Sequence, residues 1–288
     1  MSYKIVVDSC CDINEEMRGW SNLEVVPLTL QIGDYVVIDD ESFNQEDFIS
    51  RMVESNELAK SACPSPDAFA KAIEGDEEDV YIITITSKLS GCYNSAIQGV
   101  DLYKEEHAGS TKNIHVFNSK ATSGLETLMA EKIKTLADGG APFEEVVERV
   151  EDYCVNGLGL YFCLESMDAL KGNGRLYNLA ASVIEALKVK LICRRTEAGN
   201  ISVSGKDLTV KRALSKMAKL IAADTEGSNL AGKKCYVTEV CCVEKANEVK
   251  RNIKAACNYA EENIIILKAS GLNSLYASNG GIIVSFEK

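Results

Sequence analysis

The strongest constraint on the fold is a short apolar stretch, residues 80–85 with the sequence VYIITI, followed at once by a polar turn. The stretch is rich in β-branched side chains, as is typical of a strand buried on both faces of a parallel sheet. A helical pattern begins after the turn. Because strand, turn and helix form the repeating unit of α/β proteins, this stretch predicts a parallel sheet covered by helices.

Other strand-like stretches extend this layout through the first half of the chain. They cover residues 5–7, 25–30, 80–85 and 114–117 and alternate with helical patterns. An amphipathic helix is predicted after Pro142, because apolar residues recur there at helical spacing from Phe143 to Cys154. Gly139 and Gly140 close the helix before it.

The second half mixes strands and helices without this regular alternation. Strands are predicted at residues 189–194, 201–204, 234–237, 264–267 and 282–286, and helices near residues 166–170, 179–187 and 210–221. Gly199 and Asn200 predict a hairpin turn, and Thr209 is the expected N-cap of the last helix. The fold class is therefore α/β with two domains, namely a parallel-sheet domain over residues 1–157 and a mixed α/β domain over residues 158–288.

The turn after residues 80–85 has the character of an anion site. It carries the hydroxyls of Thr86, Ser87 and Ser90, and Ser90 is the expected N-cap of the following helix. The free N–H groups of a first helical turn, here those of Gly91 and Cys92, favour a carboxylate or phosphate. Alternatively, Ser90 only caps its own helix.

Composition excludes several classes of function. The formal net charge is −12 without a basic cluster, which argues against nucleic acid and disfavours an anionic membrane surface. No apolar run approaches the roughly 18 residues of a membrane span, and no signal peptide is recognisable, so a cytoplasmic protein is expected. Eleven cysteines without C-x-x-C spacing are interpreted as free thiols, with no metal site. No nucleotide-binding motif is present, and no cofactor is expected.

Six segments in order resemble the DegV family of bacterial fatty-acid-binding proteins, which includes the acyl-carrying subunits of fatty acid kinase. The segments are IVVDSCCD (5–12), VPL (26–28), SACPSP (61–66), LSGCY (89–93), LKGNGRL (170–176) and VKLI (189–192). The resemblance covers the whole chain. It implies a long-chain fatty acid as ligand, with its carboxylate held by Ser61 and Ser90 and its tail in an apolar tunnel between two domains.

Other residues are candidates for the head group or for a partner site. The resemblance places Arg175 near the ligand-binding face, where a guanidinium suits a carboxylate or acyl-phosphate. Ser9 follows the first strand, where open α/β sheets place ligand-facing residues, although Asp8 and Ser9 can equally serve the local turn. Thr86 and Ser278 are further candidates. Lys190, in an apolar strand, must find a partner or reach water.

One departure from the family pattern bears on function. Kinase-partner members carry a histidine in a His-Thr-Gly-Pro-Gly-like turn, whereas this chain reads ASNGG at residues 277–281, with Ala277 in the place of the histidine. The pattern therefore favours a non-enzymatic fatty-acid carrier over an acyl-presenting subunit of a fatty acid kinase. A serine hydrolase using Ser90 is a weaker alternative, because neither His107 nor His115 belongs to a recognisable catalytic motif and no G-x-S-x-G elbow is present.

Overall fold

The computed structural model describes residues 2–55, 57–179 and 189–288, and the strands in these residues form three sheets. In chain order the strands are β1 Tyr3–Asp8, β2 Leu23–Val26, β3 Thr29–Ile32, β4 Tyr35–Ile38, β5 Lys60–Ala62, β6 Asp79–Thr84, β7 Asn113–Asn118, β8 Leu158–Cys163, β9 Lys190–Arg195, β10 Ile201–Asp207, β11 Cys235–Glu239, β12 Ile264–Lys268 and β13 Ile282–Glu287.

The described α-helices connect these strands. In chain order they are α1 Gln45–Glu54, α2 Pro66–Ile73, α3 Cys92–Glu106, α4 Gly124–Asp138, α5 Phe143–Asp152, α6 Asp168–Gly172, α7 Val210–Asp224, α8 Val243–Ala256 and α9 Gly271–Ala277. A π-helical turn, Tyr153–Gly157, continues α5 into β8. None of the described helices has the length and apolar character that a membrane crossing requires.

The predicted parallel sheet is present, with the strand order β2-β1-β6-β7. Because successive side chains of a strand point to opposite faces, its apolar residues divide between two helix layers. Val6 and Ile82 pack among the residues of α2 and α3, while Ile5 and Ile83 pack against α4. Both faces are therefore covered, which explains why these strands are apolar at nearly every position.

The second large sheet has the strand order β10-β9-β8-β13-β11-β12, and all its pairs are antiparallel except β11 with β12. Helices α7 and α8 cover one face, and α4 lies against the other. Since α4 also contacts β1 and β6, it is packed between the two large sheets. At Gly124 the approach is close, because an added Cβ would lie 2.8 Å from Cβ of Tyr236.

Several local predictions are confirmed. The side chain of Thr209 caps α7 by accepting a hydrogen bond from the Arg212 N–H, and β9 and β10 form the hairpin whose turn contains Gly199 at a φ of +85°. Lys190 finds its expected partner, with its Nζ 2.8 Å from Oε2 of Glu165. The predicted helix over residues 179–187 lies, apart from its first residue, outside the described residues.

One predicted strand is wrong. Residues 25–30 do not form a single strand, because Pro27 separates β2, in the parallel sheet, from β3, in a small antiparallel sheet of order β4-β3-β5. Proline lacks the N–H that a continuous ladder needs, so the chain changes sheets at this point. The small sheet was not anticipated from the sequence, and it carries Ser61 on β5.

Candidate functional site

A cavity lies between the parallel sheet and the six-stranded sheet. It encloses about 810 Å³ of empty space, including its opening to solvent. Both halves of the chain contribute to its lining, and most of the lining side chains are apolar. The apolar lining residues are Ile85, Leu89, Ala121, Leu160, Phe162, Leu164, Leu170, Ile201, Leu272, Tyr276, Ala277 and Ile283. A narrow, mainly apolar space with few polar groups is typical of a site for a hydrophobic ligand.

Ser90 borders the cavity, but its role in α3 differs from the one predicted. Helix α3 begins at Cys92 with Gly91 in the N-cap position, and no side chain caps it. The Ser90 hydroxyl instead accepts a hydrogen bond from the Cys92 N–H at 3.3 Å and lies 3.1 Å from Cys92 Sγ. The prediction of Ser90 as N-cap is therefore wrong by one residue, because Gly91 stands between Ser90 and the helix.

The predicted backbone donors near Ser90 are not equivalent. The N–H of Cys92 already donates to Ser90, and neither Gly91 nor Cys92 belongs to the residues that border the cavity. Within the described part of the chain, no acceptor takes the N–H of Gly91. The N–H of Gly91 is thus unengaged, but Gly91 does not border the cavity, so the prediction of these two N–H groups as carboxylate donors gains no support from the cavity lining.

Ser61 reaches the same cavity from β5. It pairs with Leu30 of β3, and its Oγ lies 3.2 Å from the hydroxyl of Tyr276. Tyr276, near the end of α9, was not singled out in the sequence. The sequence signal that could have found it is its position directly before Ala277, where the chain departs from the family pattern.

Arg175 joins this group of polar side chains. Its Nε donates to the carbonyl oxygen of Leu89 at 3.1 Å, and its Nη1 donates to the carbonyl oxygen of Asn173. The guanidinium lies 5.9 Å from the centroid of the Tyr276 ring. Arg175, Ser61 and Tyr276 therefore form one cluster beside the Leu89–Ser90 turn. We call these three residues together with Ser90 the hydroxyl cluster.

Thr86 also borders the cavity, but its hydroxyl hydrogen is already in use. Its Oγ1 donates to the carbonyl oxygen of Gly199 at the tip of the β9–β10 hairpin, over 3.0 Å. An added Cβ at Gly199 would lie 2.3 Å from Oγ1 of Thr86 and 3.1 Å from Cα of Lys120. The hairpin of the six-stranded sheet is thus fitted closely against the turns of the parallel sheet.

Two predicted candidates lie outside the cavity lining. Ser9 is buried, where its Oγ donates to Oδ2 of Asp39 at 2.9 Å and accepts from the Leu28 N–H at 3.0 Å. Ser278 follows α9 with a positive φ of 57°, and its hydroxyl faces the carbonyl oxygen of Leu275. Both hydroxyls serve the local structure, so neither residue is brought to Ser61 and Ser90.

Buried acids lie behind the Ser90 turn. Asp8 accepts hydrogen bonds from the N–H groups of Cys10 and Ile85 and so joins the ends of two neighbouring strands. Burial raises the pKa of Asp8. Glu126 is completely buried, and neither of its carboxyl oxygens has a hydrogen-bond partner among the described residues. Burial, reinforced by the charge of Asp8, raises the pKa of Glu126 well above its usual value.

The cysteines show no paired or metal-binding arrangement. All eleven are free, and burial raises the pKa of Cys10, Cys11 and Cys92, which keeps these thiols protonated. In residues 2–55, 57–179 and 189–288, no group of His, Cys, Asp or Glu side chains could hold a metal ion. Neither His107 nor His115 borders the cavity.

The chain resembles known proteins over its whole length. A DegV domain-containing protein of Streptococcus pneumoniae is 33% identical over 290 residues, covering 100% of this chain and 99% of the relative. A DegV family protein of Ruminococcus gnavus, solved with vaccenic acid, is 40% identical with a TM-score of 0.91 and covers 99% of each chain.

A further solved structure is the Fatty Acid Kinase (Fak) B3 protein of S. pneumoniae, loaded with linoleic acid. It is 32% identical with a TM-score of 0.86, covering 100% of this chain and 99% of that protein. The model of the family described as "Uncharacterised protein, DegV family" matches residues 2–288. The α/β architecture and the sequence agree, and this chain belongs to the DegV family.

Proposed function

We propose that this protein binds a long-chain fatty acid in the cavity between its two large sheets, with the carboxylate at the hydroxyl cluster. The observation that carries the proposal is the lining of the cavity, in which Ser61, Ser90 and Arg175 accompany mainly apolar side chains. The similar proteins from R. gnavus and S. pneumoniae were solved with vaccenic and linoleic acid, which supports the same ligand class here.

The two parts of such a ligand make different contributions. About sixteen methylenes at ~0.8 kcal/mol each offer on the order of 10 kcal/mol from apolar burial, before ordering costs are subtracted. A hydrogen bond to the charged carboxylate adds about 1.5–3 kcal/mol net. The tail therefore supplies most of the affinity, while Ser61 and Ser90 fix the direction in which the acid lies.

We further propose that the two sheets mark two domains, residues 1–157 and 158–288. The strands of the parallel sheet end at Asn118, and the six-stranded sheet begins at Leu158. Cavity residues come from both ranges, so the ligand would lie between the domains. The free thiols suit a reducing compartment, and we place the protein in the cytoplasm.

Mass spectrometry of lipids extracted from protein purified without added fatty acid tests the binding function. We expect about one fatty acid per protein chain. A protein that carries no lipid and takes up neither oleate nor palmitate contradicts the proposal. Extraction of the folded protein, followed by rebinding of a known acid, distinguishes a specific ligand from lipid acquired during purification.

We favour a carrier that binds the fatty acid and catalyses no reaction. The acyl-presenting subunit of a fatty acid kinase is the second candidate, supported by the 32% identity to the Fak B3 protein. Ala277 borders the cavity with a methyl group, which can neither donate nor accept a proton. Formation of acyl-phosphate on mixing the lipid-loaded protein with a fatty acid kinase and ATP would establish the second role.

A further inference from the structure

Strand β9 ends in two adjacent arginines that point to opposite faces of the six-stranded sheet. Arg194 lies on the face away from the cavity, where its Nη1 is 3.3 Å from the Tyr161 hydroxyl and 3.8 Å from Oδ2 of Asp224. Arg195 borders the cavity, together with Ile201, its partner in β10. The alternation of side chains along a strand thus brings a cation into a lining that also contains the apolar side chains of Leu160, Phe162 and Ile283.

The guanidinium of Arg195 is only partly satisfied. Its Nη2 donates to the carbonyl oxygens of Cys154 at 2.6 Å and Leu158 at 2.7 Å. Its Nη1 is buried and has no hydrogen-bond partner among the described residues. Both of its acceptors are neutral carbonyls, although arginine keeps its charge in proteins.

This arrangement is unfavourable for an unmodified hydrocarbon chain. A buried donor without an acceptor loses its hydration without recovering a hydrogen bond, and the loss is larger for a charged group. The residues near Arg195 in the wall include Leu160 and Ile201, which offer only apolar side chains. A saturated tail also contains no acceptor, whereas a hydroxyl or keto oxygen on the tail would supply one.

Arg195 and the hydroxyl cluster have separate hydrogen-bond partners. The hydroxyl cluster lies beside Leu89. Arg195 instead donates to the carbonyl oxygens of Cys154 and Leu158. In the described part of the chain, no hydrogen bond joins Arg195 to the hydroxyl cluster. Arg195 is therefore a polar group of the lining in addition to the hydroxyl cluster, as are Lys120, Thr122, Asn200 and Asn273.

We propose that the preferred ligand is an oxygenated long-chain fatty acid, and that Arg195 binds a hydroxyl or keto oxygen carried along its chain. The proposal rests on the fatty-acid-binding function proposed above and names the substrate class more narrowly. Arg195 is then a specificity-determining residue, while the hydroxyl cluster binds the carboxylate of any fatty acid.

Competition binding against a fluorescent fatty acid tests this assignment. The probes are stearate and a series of hydroxystearates and ketostearates with the oxygen at successive chain positions. We expect at least one oxygenated isomer to bind the wild-type protein about tenfold more tightly than stearate, since a hydrogen bond to a charged donor is worth about this factor. Arg195→Leu should abolish the preference, and Arg194→Leu is the matched control that should retain it.

The outcomes separate this inference from the broader function. If wild-type protein binds stearate at least as tightly as every oxygenated isomer, or if a folded Arg195→Leu protein keeps the preference, the assignment of Arg195 is wrong while fatty-acid binding stands. If the protein binds none of the probes, the proposed function fails and this inference with it. The wild-type series needs no variant, so it decides the question even if Arg195→Leu does not fold.

Discussion

The two walls of the cavity are built on different principles. The wall from the parallel sheet consists of turns at strand ends, where N–H groups donate to neighbouring hydroxyls, as Cys92 does to Ser90 and Lys88 to Thr86. The wall from the six-stranded sheet consists of regular strands with side chains such as Leu160, Phe162 and Ile283. In the function proposed above, the first wall would set the orientation of the fatty acid and the second would supply most of its binding energy.

Chain length gives the largest test of this division. Shortening a saturated acid by six methylenes removes about 5 kcal/mol of apolar burial, so affinity should fall by more than a thousandfold. Isothermal titration calorimetry with a series of saturated acids measures the increment per methylene. An affinity that is nearly independent of chain length would show that the polar wall, not the apolar one, dominates binding.

The contact between the two walls can be tested at Gly199, at the tip of the β9–β10 hairpin. Gly199→Ala would place a Cβ 2.3 Å from Thr86 Oγ1 at a positive φ, so we expect a loss of about 2–5 kcal/mol in the free energy of unfolding. Gly227→Ala is the matched control, with a φ of +78° and no atom within 4 Å of the added Cβ. It should lose only about 1 kcal/mol. If urea denaturation shows the same loss of unfolding free energy for both variants, the hairpin does not pack closely against Thr86.

A buried carboxyl provides a test through pH. Burial raises the pKa of Asp39 to about 6, and its oxygens accept from the N–H groups of Gly271 and Leu272 in α9. Because the folded pKa is above the unfolded one, the folded state binds more protons, and stability falls as pH rises from about 4 to 6. The contribution lost is about 3 kcal/mol.

Urea denaturation at several pH values, compared with Asp39→Asn, isolates this contribution from those of other carboxyls. The difference in unfolding free energy between the two proteins should change across this pH range and be constant above it. A pH-independent difference would show that Asp39 titrates normally despite its burial.

The smallest effect is expected at the hydroxyl cluster. Ser90→Ala removes one hydrogen bond to the carboxylate, so affinity should fall about tenfold while bound lipid is retained. Ser50→Ala, on the exposed side of α1, is the control and should bind like wild type. Complete loss of lipid from a folded Ser90→Ala protein would contradict the division of roles between the walls.

Much of the site could be predicted from the sequence because its local signals are strong. The stretch over residues 80–85 is strand β6, and the hydroxyl-bearing turn after it borders the cavity as expected. Ser61 and Arg175 also border it, although only the family resemblance had singled them out. Their cavity-lining position depends on tertiary packing that no periodicity reveals.

Other features depend on contacts between distant residues and were missed or misplaced. Ser9 has the same local pattern as Ser90, a serine just after an apolar strand, but Asp39 takes its hydroxyl. Tyr276 and Arg195 gain their importance from the elements that surround them. The alternation along β9 assigns its two arginines to opposite faces, but the sequence does not tell which face borders a cavity.

The close packing of α4 between the sheets has a mechanical consequence. At Gly124 there is no side chain to compress, so the spacing of the two sheets is fixed by backbone against Tyr236. Separating the two sheets at that point would expose apolar surface on both sides of the helix. A side chain at residue 124 would therefore change the spacing of both sheets at once, although Gly124 itself does not border the cavity.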